Sequence, residues 1–217
     1  RATGIFTQGG TFCNLYGYLL GIRKSLPEAK HKGLGHYQDY RIINSQGGHY
    51  SNITNLSLLG VDIENKTILI QVGENNDIDL DHLERTLTAC FALKHVVPTI
   101  MLTMGTTDTF GVDRVKPVVE LRDRLCERFE VAVRPHIHVD AAIGWSMIFF
   151  LDYDFAANPL AINAATLAGI ERNVSRFAEL RYADSFTVDF QKWGYVPYTS
   201  CLVMIKEQDD LKAMEND

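Results

Sequence analysis

The chain has 217 residues, enough to bury the core of one domain or at most two, and its 46% apolar and 22% charged composition is that of an ordinary globular protein, not a disordered or fibrous one. Its formal net charge is −6, from 21 basic and 27 acidic residues, and no dense Lys/Arg run interrupts it, so a phosphate-backbone footprint for nucleic acid is missing. Apolar runs such as 141–151 are too short to span a bilayer, and Cys13, Cys90, Cys126 and Cys201 are widely spaced without a C-x-x-C pair, which predicts reduced thiols in a cytoplasmic protein with no membrane partner.

Taken in order, residues 3–7 are β-prone and run into Gln8-Gly9-Gly10-Thr11, after which Leu15, Tyr18, Leu19 and Ile22 repeat with helical spacing up to Ser25-Leu26-Pro27. Residues 30–39 are polar and contain Gly33 and Gly35, which predicts a loop. A short strand follows at 41–44 and a helix at 50–59, preceded by Gly47-Gly48-His49. Further strands are predicted at 67–72, 96–103, 137–139, 185–188 and 200–205. Helices are predicted at 79–93, with acidic residues in its first turn, at 115–129, with Val118, Leu121, Leu125 and Phe129 on one face, and at 160–180. Strands alternating with helices imply an α/β fold with a mostly parallel sheet between helical layers, and in such sheets ligands gather at the carboxyl ends of the strands.

The chemistry-bearing residues fall in those loops. Gly9-Gly10-Thr11 sits where a strand meets a helix, so its backbone N–H groups and hydroxyl can hold a phosphate, or Thr11 can simply cap the helix. His49 can stack a flat imidazole on a ring, move a proton, or cap a helix. Gly105-Thr106-Thr107-Asp108-Thr109 gathers hydroxyls at a strand end, with Asp113 placed to cap the next helix. Asp140 ends an apolar strand beside Ala141-Ala142, too small to shield it, and so needs a partner: a protonated ring nitrogen, or a buried arginine or histidine. Lys192 follows a β run among aromatic residues, where a partly dehydrated amine suits Schiff-base chemistry. A phosphate cradle, a stacking group, a carboxylate for a ring nitrogen and a lysine for an aldehyde are together the handles of pyridoxal 5′-phosphate. A Rossmann dinucleotide site fits poorly, because the G-x-G-x-x-G spacing is missing.

In Thr7-Gln8-Gly9-Gly10-Thr11-Phe12-Cys13-Asn14, His49-Tyr50-Ser51, Gly105-Thr106-Thr107 with Gly111 and Asp113, His138-Val139-Asp140-Ala141-Ala142, and Ala183-Asp184-Ser185 leading to Lys192-Trp193, the sequence resembles the group II pyridoxal-phosphate-dependent amino-acid decarboxylases, the glutamate, aromatic amino-acid and 2,4-diaminobutyrate decarboxylase family. The resemblance implies an aspartate-aminotransferase-like (fold type I) large domain over residues 1–217, a fragment without the N-terminal segment and C-terminal small domain. It implies that Gly10 and Thr11 hold the cofactor phosphate, His49 stacks on the pyridine ring, Thr107 lies near the ring hydroxyl, Asp140 pairs with the ring nitrogen, Ala142 packs beneath the ring, and Lys192 forms the Schiff base from which an L-amino acid substrate is decarboxylated. It also implies a homodimer. The chain departs from the family pattern at Gln191, where a histidine usually precedes the lysine, and in a longer separation between Asp140 and Lys192. That separation holds an insertion over 149–180 whose aromatic segment, Phe149 to Phe155, is expected to pack rather than line an entrance. Two alternatives stand beside the decarboxylase: another carbon–carbon lyase of the same fold, similar to sphingosine-phosphate lyase, and a non-catalytic partner subunit, for which Gln191 is the main support.

Overall fold

In the computed structural model, which describes residues 1–215, seven strands form a single sheet in the order β1-β7-β6-β5-β4-β2-β3. The strands are β1 (Thr3–Thr7), β2 (Ile42–Ser45), β3 (Thr67–Ile70), β4 (Thr99–Thr103), β5 (His136–Asp140), β6 (Ser185–Asp189) and β7 (Cys201–Ile205). β3, β2, β4, β5 and β6 run parallel, and β7 runs antiparallel to both β6 and β1. The helices are α1 (Gly10–Ser25), the single turn α2 (Ala29–Lys32), α3 (Ser51–Leu58), α4 (Ile63–Lys66), α5 (Leu80–Ala92), α6 (Val115–Arg128) and α7 (Ala164–Ala178). This is the expected α/β architecture, with the sheet sandwiched by helices.

The alternation of residues along each strand decides what each face of the sheet holds. On β4 and β5, Ile100, Leu102, Ile137 and Val139 join Leu83 and Leu87 of α5 and Val118, Leu121 and Leu125 of α6 in one apolar core. The intervening residues Thr99, Thr103, His136, His138 and Asp140 are buried as well, on the face covered by α1. That helix lies close to the sheet because two of its turns lack a Cβ. At Gly17 a Cβ would stand 2.3 Å from the His138 ring, and at Gly21 it would stand 2.2 Å from the Thr99 hydroxyl. The innermost side of α1 is therefore Cys13, Asn14, Gly17, Tyr18, Leu20, Gly21 and Ile22. Leu15 and Leu19 of the predicted apolar stripe are only partly buried.

The predicted elements recur with shorter ends. β4 starts at Thr99, after Pro98, where a residue without a backbone N–H closes the run predicted from 96. α7 begins only at Ala164, where the Asn163 side chain accepts the Thr166 N–H at 3.0 Å. The stretch 30–39, expected to be a loop, holds the end of α2 and a 3-10 turn, Leu34–His36. Asp79 caps α5 by accepting the His82 N–H at 2.9 Å. In the insertion the aromatic segment packs only in part, since Phe149 stays 72% exposed while Phe150, Tyr153 and Phe155 are half-buried. Tyr153 meets Phe150 and Phe155 edge-on, with ring centroids 5.4 Å and 5.2 Å apart, and its hydroxyl donates to Asn158 at 2.7 Å. After β7 the chain forms a 3-10 segment, Gln208–Met214, and the last two residues lie outside the described range. Among the described residues no helix is long and apolar enough to cross a membrane.

Candidate active site

A cavity of about 400 Å³ opens at the carboxyl edge of the parallel strands. It is lined by Gly10, Thr11, His49, Thr107, Asp140, Ala142, Gln191 and Lys192, so the residues to which the resemblance gives a cofactor role come together there, while Asp113 does not join them. Gln8, Asn14, Ser51, Asp189 and Tyr198 complete much of the wall. The wall is therefore more polar than the aromatic residues flanking the lysine in sequence suggest. Strand ends and helix starts meet here, and both bring unpaired backbone groups and short polar side chains.

The phosphate-sized end is built by the β1–α1 turn. Gly9 begins α1 with no side-chain cap, which leaves the first-turn N–H groups at Gly10 and Thr11 for a ligand. Thr11 is therefore not the helix cap that its position allows. Its carbonyl accepts the Asn55 amide at 2.8 Å, tying α1 to α3. Gly10 is required here, since a Cβ would come within 2.8 Å of the Asp189 carboxylate.

His49 precedes α3 and serves two purposes. Its Nδ1 accepts the Ser51 N–H at 3.2 Å, with the Ser51 hydroxyl 2.8 Å away, so the neutral ring carries its proton on Nε2. The half-buried ring is part of the cavity wall and stacks obliquely on Tyr50, with centroids 4.2 Å apart.

Asp140 ends β5 and is almost fully buried. Its partners are neither an arginine nor a histidine. Oδ2 accepts the Asn14 amide at 2.7 Å and Oδ1 accepts the Ala142 N–H at 3.1 Å. Burial pushes its carboxyl above the usual range, while the Asn14 and Ala142 hydrogen bonds and the nearby Lys192 charge pull it back. A carboxylate so placed at a cavity wall is suited to a cationic N–H donor.

Lys192 stands in the turn after β6, and its Nζ pairs with Asp189 Oδ2 at 3.3 Å. The other Asp189 oxygen is buried with no hydrogen-bond partner. An orphaned carboxylate oxygen beside a helix N-terminus and a lysine marks a site that can take a further donor. The backbone of Asp189 is pinned by the Trp145 indole, which donates to its carbonyl at 3.1 Å. Gln191 uses its Oε1 to accept the Ser200 N–H at 2.7 Å, which turns the amide nitrogen into the remaining donor of that side chain. Phe110 and Trp193 stack with centroids 5.3 Å apart, joining the loop after β4 to the loop that carries the lysine.

Asp113 corrects its sequence reading. α6 begins at Val115, and the cap position before it is Arg114, which makes no side-chain cap hydrogen bond. Asp113 instead accepts the N–H groups of Ile78 at 2.7 Å and Thr103 at 2.8 Å and approaches the Ser45 hydroxyl at 3.4 Å. It is fully buried, which pushes its carboxyl up to about 7. Three residues far apart in sequence define this role, so local spacing could not reveal it. Asn14 and Asp189 were equally silent as site residues, because a polar residue on a helix face or at a strand end signals burial only once its partners are known.

An anion cradle, an imidazole, a buried carboxylate and an amine around one cavity at the carboxyl edge of a parallel sheet define a cofactor-binding α/β domain. The chain belongs to the pyridoxal-dependent decarboxylase family, whose conserved domain matches residues 1–216, and pyridoxal phosphate is the cofactor that family uses. It is 26% identical to the L-2,4-diaminobutyrate decarboxylase of Acinetobacter baumannii over 97% of this chain and 38% of that protein. With the L-tyrosine decarboxylase of Enterococcus faecium it shares 29% identity over 76% of this chain and 28% of that one. The chain thus spans less than two-fifths of the length of these curated relatives. Its fold matches the crystal structure of Catharanthus roseus tryptophan decarboxylase in complex with L-tryptophan, with a TM-score of 0.72 and 18% identity over 100% of this chain and 40% of that one.

Proposed function

We propose that this chain is the pyridoxal-phosphate-binding large domain of an enzyme that decarboxylates an L-amino acid to its amine. The observation that carries the reading is the convergence of Gly10, Thr11, His49, Asp140, Ala142 and Lys192 on one cavity, drawn from four separate stretches of sequence. When bound, the cofactor supplies an aldehyde for a Schiff base with an amine and a pyridine ring that withdraws electrons from the substrate's α-carbon.

The protein's own residues then have distinct tasks. The first turn of α1 and Thr11 would hold the phosphate, with the helix dipole adding to the attraction, and Gln191 has an amide N–H left to offer it. His49 would stack on the ring, with its Nε2 left for a proton. Ala142 would pack beneath the ring, and Thr107 would lie near the ring hydroxyl. Asp140 would pair with the ring nitrogen and hold a proton there. Lys192 would provide the amine, which the Asp189 carboxylate holds in place at 3.3 Å.

Glutamine at 191 removes a titratable group but retains a donor, which favours an active enzyme over a non-catalytic partner subunit. The exposed aromatic side chains Tyr50 and Tyr198 on the cavity wall support a homodimer in which a second copy covers this rim. Four buried free cysteines suit a cytoplasmic enzyme. Incubating the full-length protein with individual L-amino acids and measuring CO₂ and amine tests the reading. One amino acid is expected to give both, and aldehyde release without CO₂ would favour the carbon–carbon lyase instead.

A further inference from the structure

His138 lies two residues before Asp140 on β5, is fully buried, and is not among the residues that line the cavity. Gly17 gives up its Cβ to make room for it. Both of its ring nitrogens are engaged in a line of polar side chains that ends on Asp140, and counting protons fixes the direction of that line.

The Asn14 amide presents its nitrogen to Asp140 Oδ2 at 2.7 Å, the orientation that a carboxylate without a proton accepts. The Asn14 oxygen then faces the Thr187 hydroxyl at 2.7 Å, and Thr187 donates its one proton there. With that proton committed, the Thr187 oxygen accepts from His138 Nε2 at 2.9 Å. His138 is thereby the Nε2–H tautomer, and its Nδ1 accepts the Ser185 hydroxyl at 2.7 Å. Ser185 in turn accepts the Nε2–H of His136 at 2.7 Å. Every donor in the line points toward Asp140, and bonds aligned in this way polarise one another. Reversing the line requires a protonated Asp140 to donate to the Asn14 oxygen, so the direction of the chain and the charge on Asp140 are one property.

The surroundings keep the line neutral along its length. Burial depresses the imidazoles of His138 and His136 to about 3 and about 4. At the far end His136 Nδ1 has no hydrogen-bond partner and stands 4.0 Å from Asp210, which is already paired with Lys24 at 2.9 Å. At the near end the charges facing Asp140 are Lys192 and Asp189.

We propose that His138 is a positioning residue for the cofactor's ring nitrogen, acting through Thr187 and Asn14 to hold Asp140 ionised and in one orientation at the cavity wall. This inference rests on the reading of Asp140 as the ring-nitrogen partner. His138→Leu removes both bonds of the imidazole, frees the Thr187 hydroxyl from its orientation and leaves Ser185 without an acceptor. His138→Gln can present an acceptor and a donor from one planar group.

The test measures pyridoxal phosphate affinity in the full-length wild type, His138→Leu, His138→Gln and Thr187→Val, together with the ¹⁵N shifts of the histidine side chains in the cofactor-free protein. The expected dissociation constant rises about tenfold in His138→Leu and Thr187→Val, because the Asn14 amide that bonds Asp140 loses its orientation, and returns to within about threefold of wild type in His138→Gln. The ¹⁵N spectrum should show His138 as a neutral Nε2–H tautomer between pH 5 and 8. An Nδ1–H tautomer, or cofactor affinity unchanged in both His138→Leu and Thr187→Val, would overturn the inference while leaving the site reading intact. If His138→Leu fails to fold, the near-isosteric Thr187→Val and the tautomer decide. A wild type that binds no cofactor while His138 is the Nε2–H tautomer would instead overturn the site reading, and the inference with it.

Discussion

On β5 the residues Ile137 and Val139 face α5 and α6, while His136, His138 and Asp140 face α1, and all five are at most 5% exposed. The first face is held by contact among Leu83, Leu87, Val118, Leu121 and Leu125. The second is held by oriented hydrogen bonds among Asn14, His138, Ser185 and Thr187. Apolar contact is non-directional, so the first face stabilises the fold without specifying any group's protonation. Hydrogen-bonded polar groups stabilise little on balance but are costly when incomplete, so the second face specifies the state of Asp140. Equal burial thus does two different jobs, and the cofactor site is supported from the polar side.

Substitutions separate the two. The largest effect is expected at the site itself, where Lys192→Ala should reduce amine formation by the full-length enzyme about a thousandfold or more, because no other group replaces the amine. On the apolar face Leu125→Ala should lower unfolding free energy by about 2–5 kcal/mol in denaturant titration and leave cofactor affinity unchanged. On the polar face the order inverts. Asn14→Leu should cost only about 1–3 kcal/mol of stability, yet weaken pyridoxal phosphate binding, because Asp140 loses its donor and Thr187 its acceptor. If Leu125→Ala and Asn14→Leu changed stability and affinity in the same proportion, the distinction between the faces would collapse.

Stability against pH gives a smaller and finer test. His136 and His138 have folded pKa values depressed to about 4 and about 3, below an unfolded value of about 6.5, so the unfolded chain binds protons that the folded one refuses. Their contribution is fully present above about pH 6.5 and is lost as pH falls through that window, with a slope of up to about 1.4 kcal/mol per pH unit for each histidine. Asp113 opposes them. Its folded pKa is raised to about 7, so the folded state holds the proton more tightly and this group's contribution falls as pH rises from about 4 to 7. Melting temperatures between pH 5 and 7 should therefore vary less steeply with acid in His136→Gln and more steeply in Asp113→Asn.

The two faces also differ in how much of them can be read from sequence. The apolar face was legible, because Val118, Leu121 and Leu125 repeat with helical spacing and are buried as predicted. The same rule misplaced the inner side of α1, since it rewards Leu15 and Leu19 and ignores Asn14, Gly17 and Gly21, which pack innermost against a polar sheet face. At the site, some residues that end a strand or open a helix announced themselves by being out of character with their surroundings, as Asp140 does after Ile137 and Val139. Residues whose role depends on distant partners did not. Asp113 joins Ser45, Ile78 and Thr103, and Asp189 is explained only by Lys192, Gly10 and Trp145 together.

The most direct test of the central claim, that this edge of the sheet is a pyridoxal phosphate site built on Lys192, is covalent mapping. The protein is mixed with pyridoxal phosphate, reduced with borohydride, digested and analysed by mass spectrometry, with Lys192→Ala as the control. A pyridoxyl group on the peptide containing Lys192, lost in the variant, is the predicted result. Equal labelling of both proteins, or none in either, would contradict it.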